Sequence, residues 1–141
     1  MEKVVFDTDL YIDWINVGRH EDLLLQRPFL RYMSTVVLME LRAGAAGRGD
    51  QRLVERLYET FARTGRLLSP SPQTFWEAGR ALLVLQRTFR YDLKKRFQMV
   101  NDTLIALSTR QIGATLITRN ARDFQAIHEV VPFRLVVVHR R

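Results

Sequence analysis

The chain has 141 residues and a formal net charge of +7, from 22 Lys and Arg against 15 Asp and Glu. It contains no cysteine, which excludes a disulfide scaffold, a thiolate zinc site and a cysteine nucleophile. The longest apolar run is residues 81–85, far below the ~20 residues that a membrane-spanning helix needs, so we exclude an integral membrane protein.

We expect a single domain over residues 1–141, located in the cytoplasm. The length lies within the range of one compact domain, which buries roughly two thirds of its unfolded surface without any cross-link. The N-terminal sequence has an acid at Asp7, where a secretory signal would continue its apolar region, so we do not expect such a signal.

The excess of positive charge favours a polyanionic partner, since basic side chains bind phosphates and release counterions. The densest basic cluster is residues 87–96, which contain a single acid, Asp92. We interpret this segment as a solvated helix end and loop rather than as a dedicated binding patch.

Apolar runs and helical spacing predict alternating strands and helices along the chain. In the N-terminal half the predicted elements are a strand at 4–6, a helix with Leu10, Trp14 and Ile15, a helix at 20–27, a strand at 32–37, a helix at 38–46 and a helix from Asp50 to Gly65. In the C-terminal half they are a strand at 66–68, a helix at 74–90, a helix from Asn101 or Asp102 to Gly113, and strands at 114–117 and 134–138. Such alternation favours right-handed βαβ units, and so an α/β fold whose mostly parallel sheet of four to five strands is flanked by helices on both faces.

Polar side chains follow several of these predicted strands. Asp7 directly follows the first strand, and Glu40 lies about one helical turn after the second. Asp102 opens the helix that leads to the fourth strand, while Asn120 and Asp123 follow that strand. Because ligand sites in open α/β sheets form beyond the carboxyl ends of the strands, we take these residues as candidates for one site.

Carboxylates gathered at one edge repel each other, so they either bind protons or share cations. Mg²⁺ and Mn²⁺ prefer oxygen ligands, usually one or two carboxylates together with waters and a substrate phosphate. A basic chain with an acidic pocket is therefore consistent with metal-assisted hydrolysis of a phosphodiester.

Each acid also has a purely structural interpretation. Asp7 and Asp9 are suitable N-caps for the first helix, and capping is the favoured interpretation of Asp9. Glu40 is alternatively an exposed helix residue, Asp102 an N-cap and Asp123 a surface acid. Their joint position relative to the strands is what favours a site over these separate roles.

Four segments combine these acids with apolar residues: FDTDLYI at 6–12, STVVLMEL at 34–41, NDTLIA at 101–106, and LITRNARDF at 116–124. In this order and spacing they resemble the PIN-domain ribonucleases, and more closely the VapC-type toxins of bacterial and archaeal toxin–antitoxin pairs. The resemblance extends from Val4 to about Val138 and implies a three-layer PIN-like α/β/α fold.

The resemblance further implies endonucleolytic cleavage of RNA that depends on Mg²⁺ or Mn²⁺. The family's metal-binding acids fall on Asp7, Glu40 and Asp102, of which Asp7 and Asp102 would hold the main metal. Many PIN domains place a further acid where Asn120 stands, so we assign the fourth position to Asp123 as an outer or water-mediated ligand. Glu40 and Asp123 would then complete the site or orient the attacking water.

Residues close to these acids in sequence, and the resemblance itself, lead to further expectations. Three polar side chains are expected to orient the acids: Thr8, Thr118 and Asn120. Three basic side chains close to them in sequence are expected to contact phosphate: Arg42, Arg119 and Arg122. Family members are usually neutralised by a cognate antitoxin and commonly form homodimers, so both partners are expected here.

Other families fit less well. Asp7-Thr8-Asp9 also resembles the first motif of haloacid-dehalogenase-type phosphatases, but these need a later Lys and none follows Lys95. A receiver domain needs its acceptor Asp after the third strand, where Ser69 stands. Two alternatives stay open: a PIN-like RNA-processing nuclease, and a catalytically silent PIN-like module that binds RNA or a partner. The small size favours the toxin, and the retained acids favour catalysis.

Overall fold

Residues 1–139 are described by a computed structural model, in which five parallel strands form one sheet. The predicted domain therefore ends two residues beyond the described part of the chain. The strands are β1 (Lys3–Phe6), β2 (Leu30–Ser34), β3 (Leu67–Leu68), β4 (Thr115–Thr118) and β5 (Arg134–Val137). Their order across the sheet is β3-β2-β1-β4-β5, and every neighbouring pair is parallel. The predicted α/β class with a parallel sheet is confirmed.

Helices connect successive strands. The helices are α1 (Thr8–Val17), α2 (Thr35–Gly44), α3 (Arg48–Arg63), α4 (Pro72–Thr88), α5 (Gln98–Gln111) and α6 (Ala121–Val130), with a π-helical turn at Asp22–Gln26. Contacts join α1, α2 and α3 in one group and α4, α5 and α6 in another, and α2 also contacts α5. Right-handed crossovers place these groups on opposite faces of the sheet, which gives the three-layer architecture. Within residues 1–139, no helix is both long enough and apolar enough to cross a membrane.

Short polar residues and glycine fix where several helices begin and end. The Ser34 hydroxyl accepts hydrogen bonds from the backbone N–H groups of Val36 and Val37, so β2 turns directly into α2. The Ser71 hydroxyl accepts from the Thr74 N–H, which starts α4. Gly18 ends α1 in the left-handed conformation, with φ of 70°, which glycine adopts without steric cost.

The sheet centres on β1, whose residues Val4, Val5 and Phe6 are fully buried. The chain runs from β1 outward through β2 to β3, then returns across the sheet to β4 and β5 on the other side. The topological switch point is therefore between β1 and β4. Their ladder continues past β1, because the Asp7 N–H donates to the Ile117 carbonyl at 2.9 Å. Ligand sites in such sheets form at this position.

Several predicted boundaries were wrong. Helix α6 was not predicted, although Asn120 caps it. The helix predicted at 20–27 is a single π-helical turn. The strand predicted at 32–37 is β2 only as far as Ser34, since the next residues form the first turn of α2. The helix expected to open at Asn101 or Asp102 begins earlier, at Gln98, so Asp102 is not its N-cap.

Candidate functional site

Three acidic side chains meet where the central strands end. Asp7 directly follows β1, Glu40 lies in α2, and Asp102 lies in the second turn of α5. Asp7 and Asp102 are buried, with 5% and 3% of their surfaces exposed, while Glu40 is half-buried. The structure thus brings together the three acids that the strand-end argument selected.

Burial and mutual repulsion perturb the two inner acids. The pKa of Asp7 lies well above its usual value, first because the carboxyl is buried and then because Asp9 and Asp102 are negatively charged. Burial raises the pKa of Asp102 from 3.8 to about 7, and the charges of Glu40 and Asp123 add to the increase. Without a cation, burial therefore favours the protonated form of both carboxyls, and the pKa of Asp102 lies near neutral pH.

Asp102 is also incompletely hydrogen-bonded. Its Oδ1 accepts from the Gln98 side chain at 3.3 Å, but its Oδ2 is buried without a partner in residues 1–139. Leaving a buried oxygen of a carboxylate unpaired is costly unless another group binds it. Asp9 shows the same feature, since its Oδ1 is buried and unpaired within the same range.

Glu40 is held by neighbours from two helices. Its Oε1 accepts from the Thr8 hydroxyl at 2.6 Å. Its Oε2 accepts from the Gln98 amide and from the Asn101 amide, the latter at 3.3 Å. Gln98 therefore links Glu40 to Asp102, and Thr8 ties Glu40 to the residue after Asp7. These donors fix the orientation of a carboxylate that is otherwise half-exposed.

On the opposite side, the end of β4 supports Asp7. The Thr118 hydroxyl donates to Asp7 Oδ2 at 2.7 Å and accepts from the Asn120 N–H at 3.0 Å. Asn120 is the N-cap of α6, and its amide lies 3.3 Å from Asp123 Oδ2. A chain of hydrogen bonds thus runs from Asp7 through Thr118 and Asn120 to Asp123.

Asp123 itself is bound by a segment that was not predicted to contact it. Its Oδ1 accepts from Arg96 at 2.8 Å and from the Tyr91 hydroxyl at 3.0 Å. The Arg96 guanidinium also lies over the Tyr91 ring, 5.2 Å from its centre. The Asp123 carboxylate is therefore partly neutralised and sits at the margin of the acid cluster, close enough to raise the pKa of Asp102.

The three expected phosphate-binding arginines occupy different surroundings. Arg119 forms an ion pair with Asp13 at 3.1 Å, and its backbone N–H donates to Asp9 Oδ2. Arg42 is exposed on α2 and lines a groove between α2 and α3. Arg122 is exposed in the first turn of α6. The structure thus engages Arg119 with acids of α1 and leaves Arg42 and Arg122 on the surface.

The sequence patterns did not identify several residues of the site. Asp9 was interpreted as the cap of α1, but Asp7 accepts the capping hydrogen bond, and the pKa of Asp9 is raised, chiefly by burial. Gln98 was outside the predicted helix, although it stands four residues before Asp102 and so on the same helix face. A correct start for α5 would have revealed Gln98. No local signal indicated that Arg96 reaches Asp123.

The donor set fits a hard divalent cation. Among residues 1–139, no three carboxylate, imidazole or thiol groups already converge on one point as metal ligands do. The pair of Asp7 and Asp102 is nevertheless buried, repulsive and, at Asp102 Oδ2, unpartnered. One or two carboxylates with waters and a phosphate are the usual ligands of Mg²⁺ in proteins. These residues therefore suit Mg²⁺ or Mn²⁺, with Glu40 in reach of the same region.

Comparisons with known proteins agree with this geometry. Residues 4–130 match the sequence profile of the PIN domain. No curated protein matches the chain in sequence. VapBC2 from Rickettsia felis, solved bound to a DNA fragment from its promoter, contains a chain with 20% identity and a TM-score of 0.68, covering 96% of this chain and 98% of that one.

Two further solved structures are similar. A chain of VapBC-1 from nontypeable Haemophilus influenzae has 23% identity and a TM-score of 0.66, covering 96% of this chain and 97% of that one. A chain of VapBC-5 from Mycobacterium tuberculosis, a member of the VapBC family of toxin–antitoxin systems, has 20% identity and a TM-score of 0.64, covering 99% and 100%. At these identities the likeness shows a common fold over the whole length.

Proposed function

Because the chain belongs to the PIN-domain family, we propose that it is an endoribonuclease that hydrolyses RNA phosphodiester bonds with Mg²⁺ or Mn²⁺. The observation that carries the proposal is the buried pair of Asp7 and Asp102, whose pKa values are both raised. A fold gains nothing from two repelling buried carboxylates, one with an unpaired oxygen, unless a cation binds between them.

The bound metal would polarise the scissile phosphate and stabilise the leaving oxygen. Asp7 and Asp102 would hold it, and Thr118 keeps Asp7 in place through the hydrogen bond to Oδ2. Glu40 orients the attacking water, because Thr8 and the amides of α5 fix both of its oxygens. These supporting donors keep the carboxylates in position before the substrate arrives.

Asp123 acts at the margin of this site. Its contacts with Arg96 and Tyr91 reduce its availability as a direct ligand, which supports an outer or water-mediated role. Asn120 maintains the orientation of Asp123 from the start of α6. We assign phosphate contacts to Arg42 and Arg122, whose side chains are exposed, and a positioning role to Arg119, which is paired with Asp13.

We further propose that the protein is the toxin of a type II toxin–antitoxin pair, that it acts in the cytoplasm and that it forms a homodimer. The similar solved structures include a complex described as toxin–antitoxin, from Klebsiella pneumoniae. Large apolar side chains on one helix support a protein partner, since Trp76, Phe75 and Leu83 of α4 are 84%, 56% and 44% exposed. Size-exclusion chromatography with light scattering tests the dimer directly.

Cleavage of a mixed RNA pool tests the catalytic proposal. The purified protein and Asp102→Asn are each incubated with Mg²⁺, with Mn²⁺ and with EDTA. We expect cleavage by the wild-type protein in either metal, no cleavage in EDTA, and a loss of about 10²-fold or more in the variant, as expected when a metal ligand is removed.

The same experiment separates catalysis from RNA binding alone, and the neighbouring reading frame separates a toxin from a processing enzyme. RNA binding without cleavage, equal in the two proteins, would contradict catalysis and favour a silent binding module. Metal-dependent cleavage by a protein whose neighbouring reading frame encodes no small DNA-binding protein would instead favour an RNA-processing nuclease.

A further inference from the structure

A basic cleft lies beside the acid cluster, between the segment that joins α4 to α5 and helix α6. Its volume is about 580 Å³. The side chains that matter for its chemistry are Phe89, Arg90, Tyr91, Lys95, Arg96 and Arg122. Five of them come from one stretch of eight residues, 89–96, and the sixth from the first turn of α6. The fold thus gathers the densest basic segment of the sequence and a distant arginine around one opening.

The cleft carries an excess of basic side chains. Asp92 and Glu129 also line it, so basic residues outnumber acids by four to two. Of the four basic groups only Arg96 forms an ion pair within residues 1–139, with Asp123. Within the described part of the chain, Arg90, Lys95 and Arg122 have no carboxylate within ion-pair distance, and all three are exposed. Three cations therefore remain available to an anion.

The cleft is physically joined to the acid cluster. Arg96 and Tyr91, which form its wall, both donate to the Asp123 carboxylate. From Asp123 the hydrogen bonds continue through Asn120 and Thr118 to Asp7. The cleft is therefore adjacent to the acid cluster, with Asp123 and its hydrogen-bond partners between the two.

Aromatic side chains give the cleft a second kind of contact. Phe89 is 39% exposed, and Tyr91 is half-buried beneath the Arg96 guanidinium. Grooves that bind single-stranded nucleic acid usually combine cationic and aromatic side chains. Lys and Arg contact the phosphates, and the bases stack on the aromatic rings. The bases of a duplex are stacked in its interior and do not reach such a ring.

We propose that this cleft binds an unpaired stretch of RNA next to the scissile phosphate. Arg90, Lys95 and Arg122 contact its phosphates, and Phe89 stacks on one of its bases. The inference rests on the proposed function for the identity of the polymer, and it adds which side chains of this protein hold the RNA beside the acid cluster. An acidic peptide would satisfy the cations but would leave the exposed Phe89 ring without a stacking partner.

Binding measured in EDTA tests the proposal without cleavage. A fluorescein-labelled single-stranded RNA of about ten nucleotides, within the site size of such grooves, is titrated with protein and followed by anisotropy. The cleft variant is Lys95→Gln/Arg122→Gln. Arg90 is left unchanged because its backbone lies in the left-handed region, with φ of 57°. The matched control is Arg52→Gln/Arg63→Gln, which removes the same charge from exposed positions of α3, away from the cleft.

We expect the cleft variant to lose roughly 20-fold in affinity at about 0.1 M salt, because two phosphate contacts release counterions with a combined salt slope of about 1.4. The slope of log K against log salt falls by the same amount, which a nonspecific loss of stability would not produce. The control variant retains the wild-type slope. Equal losses in both variants would overturn the proposal, since they would report net charge alone.

The aromatic contact has its own test. Phe89→Leu is expected to weaken binding at least about fivefold, the lower limit for one stacked base, without changing the salt slope. Phe97→Leu is the matched control, because Phe97 is 72% exposed on the same segment but does not line the cleft. An effect of Phe97→Leu as large as that of Phe89→Leu would contradict stacking in the cleft.

Two competitors, an RNA duplex and an acidic peptide, show which kind of molecule binds in the cleft. Measuring binding and cleavage separately distinguishes the cleft proposal from the nuclease proposal. An RNA duplex of the same sequence is expected to compete weakly and equally against wild type and cleft variant. Preferential loss of duplex binding, or loss of affinity for a polyglutamate peptide with RNA binding unchanged, would overturn the proposal. A protein that loses RNA in the cleft variant but never cleaves would uphold the cleft and refute the nuclease. Normal cleavage with unaltered RNA binding would do the reverse.

Discussion

Neutralising Asp102 should stabilise the metal-free protein at alkaline pH while destroying its activity. The change is Asp102→Asn, which keeps the size of the side chain and removes its charge. The native pKa of this group is about 7, against 3.8 without the protein's influence, chiefly because of burial. Between these values the native state holds a proton that the unfolded state has released. The free energy of unfolding of the wild-type protein therefore falls as pH rises through this window.

The size of the effect follows from the shift. A difference of about three pH units, at about 1.36 kcal/mol per unit, gives an upper limit of about 4 kcal/mol for Asp102 alone. The asparagine of the variant is neutral at every pH, so its free energy of unfolding does not fall with pH in this way. Its new amide group would replace the unpaired Oδ2 and cost about 1–3 kcal/mol at every pH. The pH dependence, which is free of that constant cost, is therefore the quantity that isolates the charge.

Urea denaturation in EDTA between pH 5 and pH 8 measures it. We expect the variant to gain about 2–4 kcal/mol relative to wild type over this range. The control is Asp50→Asn, an exposed acid in the first turn of α3, for which we expect parallel curves. Saturating Mg²⁺ at pH 8 should restore about 2.7 kcal/mol to wild type at a concentration 100 times the dissociation constant, and nothing to Asp102→Asn. Parallel pH curves for wild type and Asp102→Asn would show that folding does not raise the pKa of Asp102.

Three further variants probe the supporting residues. Thr118→Val removes the donor to Asp7 Oδ2, so we expect cleavage or metal affinity to fall about 10–100-fold, with stability reduced by about 1–3 kcal/mol, as titration and denaturation would show. Arg119→Met leaves the half-buried Asp13 without its guanidinium partner; we expect a lower thermal midpoint and cleavage reduced only in proportion to unfolding, checked by calorimetry. Glu40→Gln, at a half-exposed position, should change stability by less than about 1 kcal/mol yet lower single-turnover cleavage about 10–100-fold, and an unchanged rate would remove Glu40 from the site.

The residues at strand ends were predictable because they depend on topology alone. Parallel strands bring their carboxyl ends to one edge, so Asp7 after β1 and Glu40 after β2 had to approach each other once the order of strands was fixed. Asp102 was selected as the residue that opens the helix leading to β4. That helix begins at Gln98 instead, yet Asp102 reaches the same edge from its second turn. The family match and the fold confirm the resemblance, whereas the metal roles of these acids stay predictions.

Other features were beyond local sequence patterns. The contact between Arg96, in the segment between α4 and α5, and Asp123, in the first turn of α6, joins residues 27 positions apart, and no periodicity indicates it. Helical spacing places Phe75, Ala78, Leu85 and Phe89 on one apolar side of the helix predicted at 74–90. Ala78 and Leu85 are buried as this spacing predicts, whereas both aromatic rings are exposed.

Measuring metal binding and cleavage on one sample tests whether RNA cleavage depends on a divalent metal held by Asp102. Wild-type protein and Asp102→Asn are titrated with Mn²⁺ in the presence of excess protein over labelled RNA, recording the paramagnetic signal of free Mn²⁺ and the single-turnover rate together. We expect the rate of the wild-type protein to rise in step with Mn²⁺ occupancy, and the variant to show neither Mn²⁺ binding nor cleavage. Cleavage that persists in EDTA, or that is equal in Asp102→Asn, would contradict this expectation.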